Sequence, residues 1–213
     1  MPLTVRYAGS LMSIFCRVSL MAIVVVLIGC SRGPARFAAP EVDPQAAAVE
    51  AIELYDVNGD AALSKEELRR CPGILSKLAA YDQDGGESLD EQEIVKRLSA
   101  LFKNGTGGTK LNCLITYKGK PLSGATVMLE PEPYLGDGVQ TATGTTDGAG
   151  AAQLGIPPEF VPEHLRKMKA VHYGTFKVRV THPTISIPAK YNAETELGYE
   201  TEPGNPFVQY ALN

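Results

Sequence analysis

The sequence predicts a mixed α+β chain of two folded parts. A small α-helical module spans residues 41–103, and an antiparallel β-sandwich spans residues 110–213. Three observations carry this. Apolar residues recur at helical spacing in the first stretch and alternate at period two in the second. Charge divides unevenly: residues 41–103 hold 14 acidic and 7 basic residues, whereas Asn104 onward holds 10 and 9. A glycine-rich run, Asn104-Gly-Thr-Gly-Gly-Thr109, lies between the two and reads as a linker over 104–109.

The whole chain has 213 residues and a formal net charge of -4. That length suits one large or two small domains and is short for a large multidomain enzyme. Nucleic-acid binding calls for a basic excess, which is lacking, so no nucleic-acid partner is expected. Four cysteines are too few for a disulfide scaffold.

Residues 1–29 carry no acidic residue and two basic ones, Arg6 and Arg17, ahead of the unbroken apolar run Leu20–Ile28. A positive start, a short apolar run and a small residue before a cut read as a secretory signal. The run is shorter than the 18 or so residues expected of a spanning helix. Leu27-Ile28-Gly29-Cys30 resembles a bacterial lipobox, which implies a signal peptide over 1–29 and lipidation of Cys30. An acylated cysteine of this kind holds a folded domain at a membrane surface. Met12 is an alternative start, and an ordinary transmembrane anchor or an unlipidated signal an alternative reading. Ser31 to Pro40 follows as an Ala/Pro-rich tether, 30–40 with the cysteine.

The helical module contains two acidic twelve-residue runs in register, Asp56–Glu67 and Asp82–Glu93. Both place oxygen donors at positions 1, 3, 9 and 12 and a leucine, Leu63 or Leu89, at position 8. Both resemble the EF-hand calcium loop, whose oxygens at positions 1, 3, 5, 7, 9 and 12 wrap one hard cation. The resemblance implies Ca2+ as cofactor. It also implies Asp56, Asn58, Asp60, the Ala62 carbonyl, Ser64 and Glu67 as ligands in loop 1. In loop 2 it implies Asp82, Asp84, the Ser88 carbonyl, Asp90 and Glu93.

Position 6, ordinarily glycine, is Ala61 in loop 1 and Glu87 in loop 2. A left-handed conformation there costs a non-glycine residue about 1–2 kcal/mol. Loop 2 also has Gly86 at position 5, which removes a side-chain ligand, so the first site is expected to be the tighter. Binding in the range of about 10⁻⁴–10⁻³ M is expected, as in extracellular calcium modules.

The flanks agree with helices. Asp43-Pro44 is an N-cap and N1 pair, and Val49, Ile52 and Tyr55 recur at helical spacing. Ser64/Glu67 and Asp90/Glu93 are capping-box patterns, the second followed by Ile94, Leu98 and Leu101. Pro72 interrupts the stretch between the loops. The order is helix, loop, short helix, short helix, loop, helix. The short gap between the loops, with the Asp56–Asp60 start, is also similar to dockerin modules. Glutamate at position 12 of both loops favours an ordinary EF-hand pair.

In the second part, Leu111, Cys113, Ile115 and Tyr117 alternate, as do Ala125, Val127 and Leu129. So do Phe176, Val178 and Val180, and finally Val208, Tyr210 and Leu212. Short strands with regular turns predict a sandwich, with Pro157–Met168 as a short helix or excursion. Three segments stand out: Gly119–Glu130, the Thr146-Asp147-Gly-Ala-Gly150 turn and Gly174-Thr-Phe-Lys-Val-Arg-Val180. Together they resemble carboxypeptidase-regulatory-like domains, which have a transthyretin-like fold. Ile187–Asn192 with Thr195–Gly198 looks like bacterial lipoproteins that join such a domain to an EF-hand pair.

No catalytic set stands out. His164, His172 and His182 lack a zinc spacing or a nucleophile partner and read as surface or strand-end residues, and there is no Gly-x-Ser-x-Gly. The expectation is a non-enzyme. Secretion would allow a Cys71–Cys113 disulfide, and two buried thiols are the alternative. The expected role is a calcium-binding, lipid-anchored, extracytoplasmic envelope protein, structural or binding in kind. Its partners would be the membrane through the anchor, and an envelope protein or glycan. The alternative is a calcium-dependent docking or adhesion module.

Overall fold

The computed structural model describes residues 37–103 and 107–213. The expected signal peptide, Cys30, most of the tether and residues 104–106 lie outside the described residues.

The first helix, α1 (Pro44–Tyr55), starts where Asp43 caps it: Asp43 Oδ1 accepts from the Gln45 N–H at 2.9 Å, and Pro44 fixes the first turn. Its buried face is Ala47, Ala48, Ala51 and Tyr55. Val49, expected on that face, is 38% exposed, and Ile52 is half-buried. Alanines let the backbone come close to its neighbour, and the larger valine is turned outward.

A three-residue strand β1 (Ala62–Ser64) follows, then a 3₁₀ turn at Glu67–Arg70. Pro72 opens α2 (Pro72–Leu75), and α3 (Leu78–Tyr81) completes the connection. Strand β2 (Ser88–Asp90) leads into α4 (Glu91–Phe102). At that helix start Asp90 and Glu93 form both bonds of a capping box, and Ile94, Leu98 and Leu101 are buried as their spacing predicts.

The rest of the chain is strand-rich. The strands are β3 (Gly108–Thr109), β4 (Leu111–Tyr117), β5 (Lys120–Pro121), β6 (Thr126–Pro131), β7 (Ala142–Thr145) and β8 (Ala151–Leu154). They continue with β9 (Val171–His172), β10 (Gly174–Thr181), β11 (Gly198–Thr201) and β12 (Phe207–Leu212). One four-stranded sheet has the order β11-β10-β6-β7. A second has the order β12-β4-β5, with β8 also pairing β4. Short ladders β1-β2 and β3-β9 stand apart. Pro157–Met168 forms two 3₁₀ turns, Pro158–Phe160 and Glu163–Leu165.

Pairing is antiparallel except at one place. β12 runs parallel to β4, with Val208 opposite Cys113 and Tyr210 opposite Ile115, so the all-antiparallel expectation fails for the last strand. A strand's alternation fixes which face is buried and leaves its direction open.

The turns follow from their residues. Lys118 and Gly119 both have positive φ, 50° and 76°, which closes the β4–β5 hairpin with the sense that suits strand twist. Thr146 Oγ1 donates to the Leu122 carbonyl at 2.5 Å and accepts from the Ala125 N–H at 2.9 Å. Asp147 Oδ1 accepts from the N–H groups of Ala149 and Ala151. The Thr-Asp pair thus pins an exposed turn to the buried Thr146.

Residues of both sheets and of the helices share one hydrophobic core, within one compact unit of the described residues. Where α2 meets the β part the backbones nearly touch. A Cβ on Gly73 would lie 2.9 Å from Phe176 N and from Thr175 Cβ, and one on Gly198 would lie 1.7 Å from the Pro72 carbonyl oxygen. No side chain larger than hydrogen fits at either position.

Candidate metal centre

The two acidic loops lie side by side because β1 and β2 pair. Ala62 faces Asp90, Leu63 faces Leu89 and Ser64 faces Ser88. Leu63 and Leu89 are fully buried, so each loop's eighth position anchors it to the other.

Within the loops the hydrogen bonds repeat position by position. The first-position carboxylate accepts from the fourth-position N–H: Asp56 Oδ1 from Gly59 and Asp82 Oδ1 from Gly85, both at 2.7 Å. The twelfth-position glutamate accepts from the second and ninth N–H groups. Glu67 takes Val57 at 2.8 Å and Ser64 at 2.8 Å, and Glu93 takes Gln83 at 3.0 Å and Asp90 at 3.2 Å. Each loop is thereby closed end to end, with its carboxylates turned inward.

The loops differ at positions 5 and 6. Ala61 has φ 65°, the left-handed conformation, and its N–H donates to Asp56 Oδ2 at 2.9 Å. Asn58 Oδ1 accepts from Asp60, and Asp60 Oδ1 from Ala62. In loop 2 the sixth residue, Glu87, does not take a positive φ, contrary to expectation. Gly86 at position 5 donates to Asp84 Oδ1 at 2.8 Å, as Asp60 does to Asn58 in loop 1, and also reaches Asp82 Oδ1 at 3.1 Å, the first-position residue that Ala61 reaches in loop 1.

Asp82, Asp84 and Glu93 bring ligand oxygens within 4.8 Å of one another, a group that could hold a metal ion; among the described residues it is the one such group of three. Loop 1 has the neutral Asn58 at the third position, and its three carboxylates, Asp56, Asp60 and Glu67, are not gathered within that distance. Asp90 spends Oδ1 on its own helix cap, which leaves its other oxygen for a ligand or a bridging water. Ser88 and Ala62 lie on the short ladder as the expected carbonyl positions. The donors are all oxygens, most of them anionic, which suits a hard cation.

Glu67 is held in its charged form. The Ser64 hydroxyl, at 2.7 Å from Oε2, and then the Val57 and Ser64 N–H groups lower its pKa to about 2. One residue escaped the sequence reading: Lys96. It lines an open cleft of about 380 Å³ with Asp84, Asp90 and Glu93 and donates to Gln83 Oε1. Its place one turn after Glu93 on α4 was the available signal.

Cys71 and Cys113 are free and buried, so the disulfide is not formed. Cys71 Sγ lies 3.9 Å from Tyr134 Oη, and burial pushes the Cys113 thiol up to about 12. His172 is buried rather than at the surface. Its Nδ1 accepts from the Gln140 N–H at 3.0 Å, and burial lowers its pKa to about 4. Among the described residues no helix is long and apolar enough to cross a membrane.

No family model matches the chain, and neither a curated protein nor a solved structure matches it.

Proposed function

We propose that the chain is a calcium-binding protein of the cell envelope, lipid-anchored through Cys30, in which an EF-hand pair is built onto a transthyretin-like β-sandwich. Its role is non-catalytic. The observation that supports this best is the repeated hydrogen-bond scheme of the two loops, joined at Leu63 and Leu89. An Asp/Asn/Gly turn or a capping box alone is common. Both in register, twice, with paired eighth positions, are what a duplicated cation loop requires.

Calcium would be held by Asp56, Asn58, Asp60, the Ala62 carbonyl, Ser64 and Glu67 in the first loop. In the second it would be held by Asp82, Asp84, the Ser88 carbonyl, Asp90 and Glu93. The ion supplies positive charge where the chain gathers its carboxylates, and so relieves repulsion within the net -7 segment. The first loop keeps the higher affinity because it offers an oxygen at all six positions, whereas the second lacks one at Gly86 and has Lys96 at its mouth.

A docking role is the second reading. Leu54, just before loop 1, is 41% exposed and Val57, the second residue of the loop, is 68% exposed, apolar side chains that calcium would orient. Thermal melting of the full chain with calcium and with chelator tests the structural role, and a rise in Tm with calcium is expected. Retention of an envelope protein or glycan that chelator releases would favour docking instead.

A further inference from the structure

A tyrosine stands immediately before the first ligand position of each loop: Tyr55 before Asp56 and Tyr81 before Asp82. Both are buried, and each meets a carboxylate of the β part that is itself fully buried. Tyr55 Oη donates to Glu132 Oε2 at 2.8 Å. Glu132 Oε1 accepts from the Gly73 N–H at 3.1 Å, and Lys177 Nζ lies 3.5 Å from Oε2. Burial, and then the nearby charge of Glu200, raise the pKa of the Tyr81 hydroxyl, and Glu200 is held by the Arg97 guanidinium. Arg97 also donates to Glu202 Oε2 at 2.8 Å, and Lys77 donates to Glu202 Oε1 at 2.5 Å. Among the described residues Tyr81 Oη is a buried polar atom without a hydrogen bond.

A buried carboxylate is tolerated only where its hydrogen bonds and counter-charge are in place, so Glu132 and Glu200 have narrow positional freedom. A tyrosine seated on one of them fixes the next Cα, about 3.8 Å along the chain. That Cα belongs to the first ligand of the loop. The two carboxylates belong to one sheet, Glu132 directly following β6 and Glu200 lying in β11, but only the first of them is hydrogen-bonded to its tyrosine.

We propose that Tyr55 and Tyr81 are positioning residues that couple cation binding in each loop to the seating of the helical part on the β10–β11 sheet. This rests on the calcium reading. At loop 1 the seat is formed by the Tyr55–Glu132 bond. At loop 2 the Tyr81 hydroxyl is unbonded, and a cation drawing Asp82 inward brings it onto Glu200. Linkage makes the effect reciprocal: whatever factor seating adds to cation affinity, the cation adds to seating.

The test is calorimetric calcium titration of the full chain and of Tyr55→Phe and Tyr81→Phe, with hydrogen exchange at Gly73 and in β11. Tyr55→Phe should weaken one site by roughly 2- to 10-fold, the worth of one hydrogen bond. It should also abolish calcium-dependent protection of the Gly73 N–H and leave the other site unchanged. Tyr81→Phe should weaken the other site yet leave the calcium-free Tm equal or higher, because it removes an unsatisfied buried hydroxyl. Calcium binding in the parent with unchanged affinities and protection in both variants overturns the coupling alone. No calcium binding in the parent overturns the calcium reading and the coupling with it.

Discussion

Leu63 and Leu89 face each other across the β1–β2 ladder, both fully buried, and each is the eighth residue of its acidic loop. Through this contact the two loops share one small piece of core. A change on one side therefore reaches the other.

Leu89→Ala should destabilise the chain by about 2–5 kcal/mol, the cost of removing a buried leucine side chain. It should also weaken calcium binding at both loops, although Leu89 belongs to the second. Calcium titration with each loop separately disabled by Asp56→Ala or Asp82→Ala reads this. An effect confined to loop 2 would show the loops to be independent.

Ala61 holds φ 65°, and glycine holds that conformation without a Cβ clash. Ala61→Gly should raise stability by about 0.5–1 kcal/mol, the left-handed strain less the greater freedom of glycine in the unfolded chain. It should also tighten the first site. Glu87→Gly should lack the strain-relief gain, because Glu87 has no positive φ to relieve. Denaturant midpoints of the two variants make the comparison.

Glu67 is depressed to about 2 from 4.5. A carboxyl whose folded pKa lies below its unfolded value adds stability above the unfolded value, and that stability is lost as pH falls through the folded one. Calcium-free stability should therefore drop between about pH 4.5 and pH 2. Glu67→Gln should flatten that limb of the curve. Melting temperature against pH for the parent and the variant measures it, and parallel curves would remove Glu67 from the account of acid unfolding.

Much of this architecture was legible because burial leaves a period. Leu111, Cys113 and Ile115 alternate in sequence and are buried in β4, and Ile94, Leu98 and Leu101 line one face of α4. Asp43, Asp90 and Glu93 announce their helix starts through side-chain chemistry that acts within a few residues. The misses involve long-range contact. Val49 outranks Ala48 in hydrophobicity, yet close packing selected the smaller residue. Nothing local in the sequence marks Glu132 and Glu200 as buried, and only the chain's return in three dimensions supplies Tyr55, Lys177 and Arg97. The parallel direction of β12 has no local cause. Of the candidate site, the repeating loop positions and the grouping of Asp82, Asp84 and Glu93 were legible. The lack of a left-handed residue at Glu87 and the reach of Lys96 were not, since both depend on where neighbouring side chains come to rest.

Calorimetric titration of the full chain with calcium, against magnesium as a control, tests the central claim most directly. Two calcium ions per chain should bind, the first more tightly, with magnesium much weaker because it demands a smaller octahedral shell. Asp56→Ala should remove the tighter event and Asp82→Ala the weaker. An absence of binding up to about 10⁻² M calcium, well beyond the range of extracellular calcium modules, would contradict it.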